Sequence, residues 1–191
     1  MFKKIAFPLF SLFLMFRSYK LLLHLTHSSP TDFSTIQSLF IAFLLTLFIT
    51  GIFAFVGFAY PSNKLLPQSY YKVHKPKTLK NWSRKMGVKY FQRALLLAFW
   101  GRKKQRLKYF DGSKNGLENF SFQTKQSEFG HLVALVIICM ISMPLLLHGY
   151  YTLVGFITAI NIIGNLYPIL LQRQHRARLQ CMKERLNGRT S

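Results

Sequence analysis
Uncharged apolar stretches of membrane length alternate along the chain with polar, basic ones. The clearest reads "LFIAFLLTLFITGIFAFVGFAY", from Leu39 to Tyr60, with no charged residue and a Tyr-Pro exit. About 20 apolar residues in a helix cross the hydrocarbon core, so this run predicts one span. A second run from about His131 to Leu147 and a third from Thr152 to Leu171 are separated by "HGYY". They predict a helical hairpin turning at His148 to Tyr151, where tyrosines suit a membrane interface. The N-terminal "IAFPLFSLFLMF" follows two lysines and has the outline of a signal peptide, but "FRSYK" offers no small-residue cleavage site. Continued through "LLLHLTH" it predicts a retained span over about 5–27. Arg17 and Lys20 then lie inside it, which requires that they snorkel or face a polar interior. An interfacial helix is the alternative.

Composition agrees with this division. Half of the 191 residues are hydrophobic, 19 are phenylalanine and only 16% are charged, too apolar a mixture for a soluble domain. Lys and Arg number 26 against five Asp and Glu, a formal net charge of +21. Their placement sets an orientation. Sixteen lie from Pro61 to Phe129 and six after Leu171, whereas none lies between Leu21 and Tyr60 or in the hairpin turn. Four spans with both termini in the cytoplasm put both basic segments inside. The expected fold is therefore all-α: a multi-pass membrane protein of about four transmembrane helices, one membrane domain over residues 1–191. Its spans cover about 5–27, 39–60, 131–147 and 152–171. A basic, partly helical cytoplasmic segment, 61–129, lies between the second and third, and a basic tail occupies 172–191.

Within the basic segment, "ALLLAFW" is too short to cross and predicts a helix in the headgroup region, with Trp82 and Trp100 as anchors. "DGSKNG" is a turn-rich break. Attraction to anionic lipid headgroups explains the charge most simply, and binding of phosphate by some of the lysines is a sharper option. No RNA-binding motif accompanies the aromatics, so no nucleic-acid partner is expected. Cys139 and Cys181 form no disulfide framework, no Cys/His pair has zinc spacing, and no metal is expected. "GRKKQR" lacks the strand and second glycine of a phosphate loop.

One constellation carries chemistry. In an unbroken helix, Asn161, Asn165, Pro168, Gln172 and Arg176 share one face, and such a polar stripe should face protein or a cavity rather than lipid. Pro168 leaves the carbonyl near residue 164 without its usual donor. Folding the hairpin at about Tyr150 sets His131 level with Tyr167 to Leu171, and Glu128, three residues earlier, level with Gln172 and Arg173. Glu128 could hold the His131 imidazole in one tautomer while its other nitrogen takes a proton from a hydroxyl. Arg173, Arg176 and the amides could stabilise an oxyanion or bind phosphate. The chemistry this suggests is attack of a hydroxyl on a thioester. A purely structural arrangement fits the same residues: His131 capping a helix, Glu128 paired with Arg173, and the asparagines joining helices.

"QTKQSEFGH", the apolar hairpin and "NLYPILLQRQHRARL" together resemble the glycosyl-4,4'-diaponeurosporenoate acyltransferases, small membrane proteins of bacterial carotenoid synthesis. The resembling positions are Thr124, Lys125, Glu128, His131, Asn165, Pro168, Ile169, Gln172, Arg173, Arg176, Arg178 and Leu179. The pattern departs from the family's at Gln123, Gln174, His175 and Ala177. The resemblance implies a bacterial cell-membrane O-acyltransferase. It would move a fatty acyl group from acyl-CoA to a hydroxyl of a glycosylated membrane lipid such as a carotenoid glycoside, with no bound cofactor. In that setting His131, Glu128 and Asn165 would be catalytic, and Asn161, Gln172, Arg173, Arg176 and Arg178 would bind substrate or donor. The rivals are a non-catalytic membrane module that binds anionic lipid or a partner enzyme, and a small membrane methyltransferase.

Overall fold
A computed structural model describes residues 2–98 and 113–187. Among the described residues there are helices and turns but no strand: α1 (Phe2–Thr26), α2 (Thr35–Ala59), α3 (Gln68–Tyr71), α4 (Pro76–Lys85), α5 (Val88–Ala98), α6 (Lys114–Leu147), α7 (Tyr151–Asn161), a π-helical turn (Ile162–Leu166) and α8 (Tyr167–Asn187). Among the described residues four stretches are long and apolar enough to cross a membrane: Phe2–Thr26, Thr35–Ala59, Gly116–Leu147 and Tyr151–Glu184. Contacts divide the chain into two compact units, Met1–Pro61 with Gly130–Leu166, and Ser62–Phe129 with Tyr167–Ser191.

The first unit is built from the apolar runs. Ser34 starts α2 with a capping box, its hydroxyl accepting from the Gln37 amide while the Gln37 side chain accepts from the Ser34 amide. α1 lies along α2 closely enough that a Cβ on Gly51 would come within 2.6 Å of Leu14 Cδ1. Phe7 and Phe10 pack on Phe55, with ring centroids 5.9 and 5.6 Å apart. The buried core comprises Leu25, Ile41, Leu45, Ile49, Ile138, Leu153 and Ile157 with their neighbours. Outside that core the helices leave Phe13, Phe40, Met140 and Leu147 exposed. Large apolar side chains in such positions suit hydrocarbon rather than water. Arg17 and Lys20, whose position inside the first run was costly, are both on the exposed side of α1. The hairpin turns where expected. Gly149 takes the left-handed conformation (φ 83°), and the Tyr150 hydroxyl donates to the carbonyls of Leu25 and Ser28.

The second unit joins α3, α4 and α5 to the polar halves of the hairpin helices. Gly87 (φ 73°) makes the turn from α4 to α5. Tyr167 fixes α8 to that turn through a 2.7 Å hydrogen bond to the Met86 carbonyl and an edge contact with Phe91. Two helices of this unit run beyond the expected membrane spans. The helix carrying the span expected from about His131 begins at Lys114, where Ser113 caps it by accepting from the Gly116 amide and Leu117, Thr124 and Glu128 form a buried face. The helix carrying the span expected to Leu171 continues to Asn187, held by polar contacts of its arginines and by the buried Leu179. Trp82 is exposed as an anchor would be, whereas Trp100, residues 102–106 and the Asp-Gly of "DGSKNG" lie outside the described residues.

Candidate functional site
The residues singled out in the sequence fall into two groups, one in each unit. In the first unit α6 supplies His131, α7 supplies Asn161 and the π turn supplies Asn165. A proline at 168 cannot donate to the carbonyl four residues earlier, and the helix ahead of it widens into the π turn, a feature often found where side chains do chemistry. The His131 ring also interacts with the backbone of Gly164, the carbonyl that Pro168 leaves without its donor. Asn165 is 0% exposed, and its amide is fully engaged.

The hydrogen bonds of this group run in one direction, and a backbone carbonyl fixes that direction. The Asn161 Nδ2 donates to the Leu135 carbonyl at 3.2 Å, which can only accept. Asn161 Oδ1 is therefore the acceptor for Asn165 Nδ2, at 2.9 Å. That turns Asn165 Oδ1 toward His131 Nδ1, also at 2.9 Å. An amide oxygen accepts, so Nδ1 carries the proton and Nε2 keeps its lone pair. Thr50 of α2 closes the group, its hydroxyl lying 3.0 Å from Asn165 Nδ2 and 3.2 Å from Oδ1. In the neutral ring this arrangement leaves the lone pair on Nε2, and among the described side chains none bonds to that nitrogen. It can take a proton.

The second group centres on Glu128, which is 0% exposed. Its Oε1 accepts from Arg173 Nε at 2.9 Å, and its Oε2 accepts from Arg176 Nη2. Arg176, 4% exposed, also donates from Nε to the Tyr71 carbonyl and from Nη1 to the Thr124 carbonyl. The guanidinium groups of Arg173 and Arg176 stack over the rings of Tyr70 and Tyr71, 4.8 and 5.1 Å from the centroids. Burial, and then the Glu128 charge, push the Tyr71 hydroxyl up to about 12, and the same causes raise that of Tyr70. Gln172 donates to Ser127 at 3.3 Å, and Lys125 donates to Gln68 at 2.6 Å.

The expected roles change accordingly. His131 takes its orientation from Asn165 and not from Glu128, whose two oxygens are both held by arginines. Asn161 and Asn165 are spent on one another and on the imidazole, so neither is free for an oxyanion. Arg176 is sealed against Glu128 and two carbonyls, which removes it as a ligand for donor phosphates. Arg173 keeps a side chain one-third exposed, and Arg178 is exposed on the wall of a cavity in the second unit. Thr50, Tyr70 and Tyr71 were not anticipated. Thr50 did carry a signal, as a hydroxyl in an otherwise charge-free span. Tyr70 and Tyr71 gave none beyond adjacency to lysine. No group of three or more His, Cys, Asp and Glu able to hold a metal occurs among the described residues.

No curated relative and no solved structure matches the chain. Residues 67–185 match the family model described as glycosyl-4,4'-diaponeurosporenoate acyltransferase. That stretch covers well over half of the chain, including both arginine partners of Glu128 and the whole hydrogen-bond path from Leu135 to His131 apart from Thr50. The protein belongs to the glycosyl-4,4'-diaponeurosporenoate acyltransferase family.

Proposed function
We propose that the protein moves a fatty acyl group from an acyl-CoA to a hydroxyl of a glycosylated membrane lipid such as a carotenoid glycoside, with His131 as general base. Membership in the family supports the reaction class. The observation that carries the residue assignment is the one-way hydrogen-bond path that leaves His131 Nε2 with its lone pair. In the transfer, the acceptor hydroxyl gives its proton to Nε2 as its oxygen bonds to the thioester carbonyl carbon. The carbonyl oxygen takes up the negative charge. When the tetrahedral species collapses, the C–S bond breaks, the ester remains on the lipid, and the departing thiolate takes the proton back from the imidazolium. The imidazole ends neutral, as it began.

Asn165 and Asn161 are positioning residues in this scheme, since they act through the ring rather than on the substrate. Glu128 holds Arg176 and Arg173 in place and does not touch the reacting atoms. Of the three arginines expected to bind the donor, Arg173 and Arg178 remain available to meet its phosphates, and Gln172 contributes through Ser127. The basic segments face the cytoplasm and anionic headgroups, both termini included, as the charge distribution along the chain favours.

Mass spectrometry of lipids from cells carrying the wild-type chain, His131→Ala or no protein tests the reading. The wild type should add a fatty acyl mass to a glycolipid, and His131→Ala should remove that product while the protein remains in the membrane. An undiminished product in the variant would eliminate His131 as the base.

A further inference from the structure
Within the second unit, α4, α5 and α8 wall a cavity of about 510 Å³. Four cations stand around it: Lys80 and Arg84 from α4, Lys89 from the start of α5 and Arg178 from α8. Both ion pairs among the described residues are made by Glu128, with Arg173 and Arg176, so none of these four is paired with a carboxylate among the described residues. Uncompensated like charges around one concavity raise the local potential and concentrate anions there. A second observation points the same way. Ser83 lies in the cavity lining, is 1% exposed, and its hydroxyl has no hydrogen-bond partner among the described residues. A buried donor left unmet calls for a missing acceptor. Pro76, Leu79 and Ala177 add apolar surface to the lining, and Gln92 and Gln174 add amides.

We infer that this cavity binds a phosphate-bearing ligand. Lys80, Arg84, Lys89 and Arg178 receive the phosphate oxygens, Ser83 donates to one of them, and the apolar residues of the lining take the ring or chain that carries the phosphate. The same chemistry has two sources: the nucleotide phosphates of an acyl-CoA, or the headgroup of an anionic phospholipid. The first rests on the donor named under the proposed function. The cavity itself does not.

Cys181 lines this cavity, and Cys139 is the other cysteine of the chain, so a Cys139→Ser protein carries one thiol that reports occupancy. The full chain in phosphatidylcholine nanodiscs would be treated with N-ethylmaleimide, with and without desulfo-coenzyme A, which has no thiol to react. At ligand about ten times Kd, occupancy should slow Cys181 modification about tenfold, while adenosine, lacking phosphate, should have no effect. Lys80→Glu with Arg178→Glu should abolish protection. Lys64→Glu with Lys72→Glu, an equal change in charge outside the cavity, should preserve it. Ser83→Ala, which removes only the hydroxyl, should weaken protection several-fold without disturbing the fold. Protection that appears only in phosphatidylglycerol nanodiscs, and that disappears in the Lys80/Arg178 variant, supports the site with a lipid headgroup as its ligand. His131→Ala should leave protection intact, which separates this site from the base assignment. The inference is overturned if neither probe protects Cys181, or if the two charge-reversal variants lower protection equally.

Discussion
Replacing Glu128 with leucine should cost more than any other single change in the second unit, because of what it leaves behind. Arg176 is 4% exposed, and all three of its donating nitrogens are committed to Glu128, the Tyr71 carbonyl and the Thr124 carbonyl. Without the carboxylate, a guanidinium sits buried with no counter-charge, an arrangement that costs about 3–5 kcal/mol. Arg173 bears less of the loss. Its side chain is one-third exposed and rests on Tyr70, so water can replace the carboxylate, and its share is at most about 1 kcal/mol. Removing both buried charges together is a different matter. Glu128→Leu with Arg176→Met substitutes apolar groups of similar size, and such exchanges are often close to neutral. The order expected is therefore Glu128→Leu well below Arg173→Ala, with the double variant recovering most of the loss. Midpoints of unfolding on titrating dodecyl sulfate into detergent-solubilised protein would measure it, and a double-mutant cycle would give the coupling directly. Strictly additive losses, or a Glu128→Leu protein as stable as Arg173→Ala, would refute the account. The double variant also settles the role of Glu128 in chemistry: if the carboxylate only anchors arginines, the refolded core should still transfer acyl groups.

Asn165→Ala releases the imidazole from its tautomer and should slow transfer about tenfold, less than the roughly 10²- to 10⁴-fold lost with His131→Ala; initial rates of acylated lipid formation decide it, and an Asn165→Ala rate equal to wild type would remove the network from the mechanism. Tyr71→Phe should stabilise the protein by about 1 kcal/mol at neutral pH, because the hydroxyl it deletes is buried without a partner, while the ring under Arg176 remains. The same variant has a signature in base. The Tyr71 hydroxyl is pushed from 10.0 up to about 12 in the folded chain, so between those values the unfolded chain has released a proton that the folded one still holds. Stability then falls as pH rises through that window, and Tyr71→Phe should remove this share of the loss in unfolding midpoints taken across it. Gly51→Val pushes a side chain into Leu14 and should cost about 1–3 kcal/mol, with Leu14→Ala restoring most of it in the same unfolding assay.

Those expectations draw on parts of the molecule that were unequally visible in the sequence. α2 and the hairpin turn could be read directly, because a charge-free run of about 20 residues has few structural alternatives. The start of α6 could not. "KNGLENFSFQTKQSE" is mostly polar, and the face it buries combines Leu117 with Thr124 and Glu128. Hydropathy recognises a buried face only when apolar residues make it. A face buried by a threonine and a carboxylate looks like solvent-exposed helix until its arginine partners are known. Much the same holds for α8 past Leu171, where contacts of Arg173, Arg176 and Gln180 hold the helix beside a single buried apolar residue, Leu179.

The shared stripe from Asn161 to Arg176 depended on one further assumption, an unbroken helix turning 100° per residue. The π turn at Ile162–Leu166 takes an extra residue, so a wheel drawn through it loses phase. Asn161, just before it, and Asn165, within it, still meet one another, whereas Gln172 and Arg176 find their partners within the second unit. The choice made by Glu128 follows from electrostatics. A carboxylate that is 0% exposed must be offset by full charges, and guanidinium groups are charged at any relevant pH whereas an imidazole is not. The arginines therefore take it, and His131 is left to an amide. That outcome suits a base better than the expected acid–imidazole pair. A buried carboxylate beside the ring would favour the protonated imidazolium, which has no lone pair to offer. The Asn165 oxygen fixes the tautomer while adding no charge, so the ring waits in the form that can accept a proton.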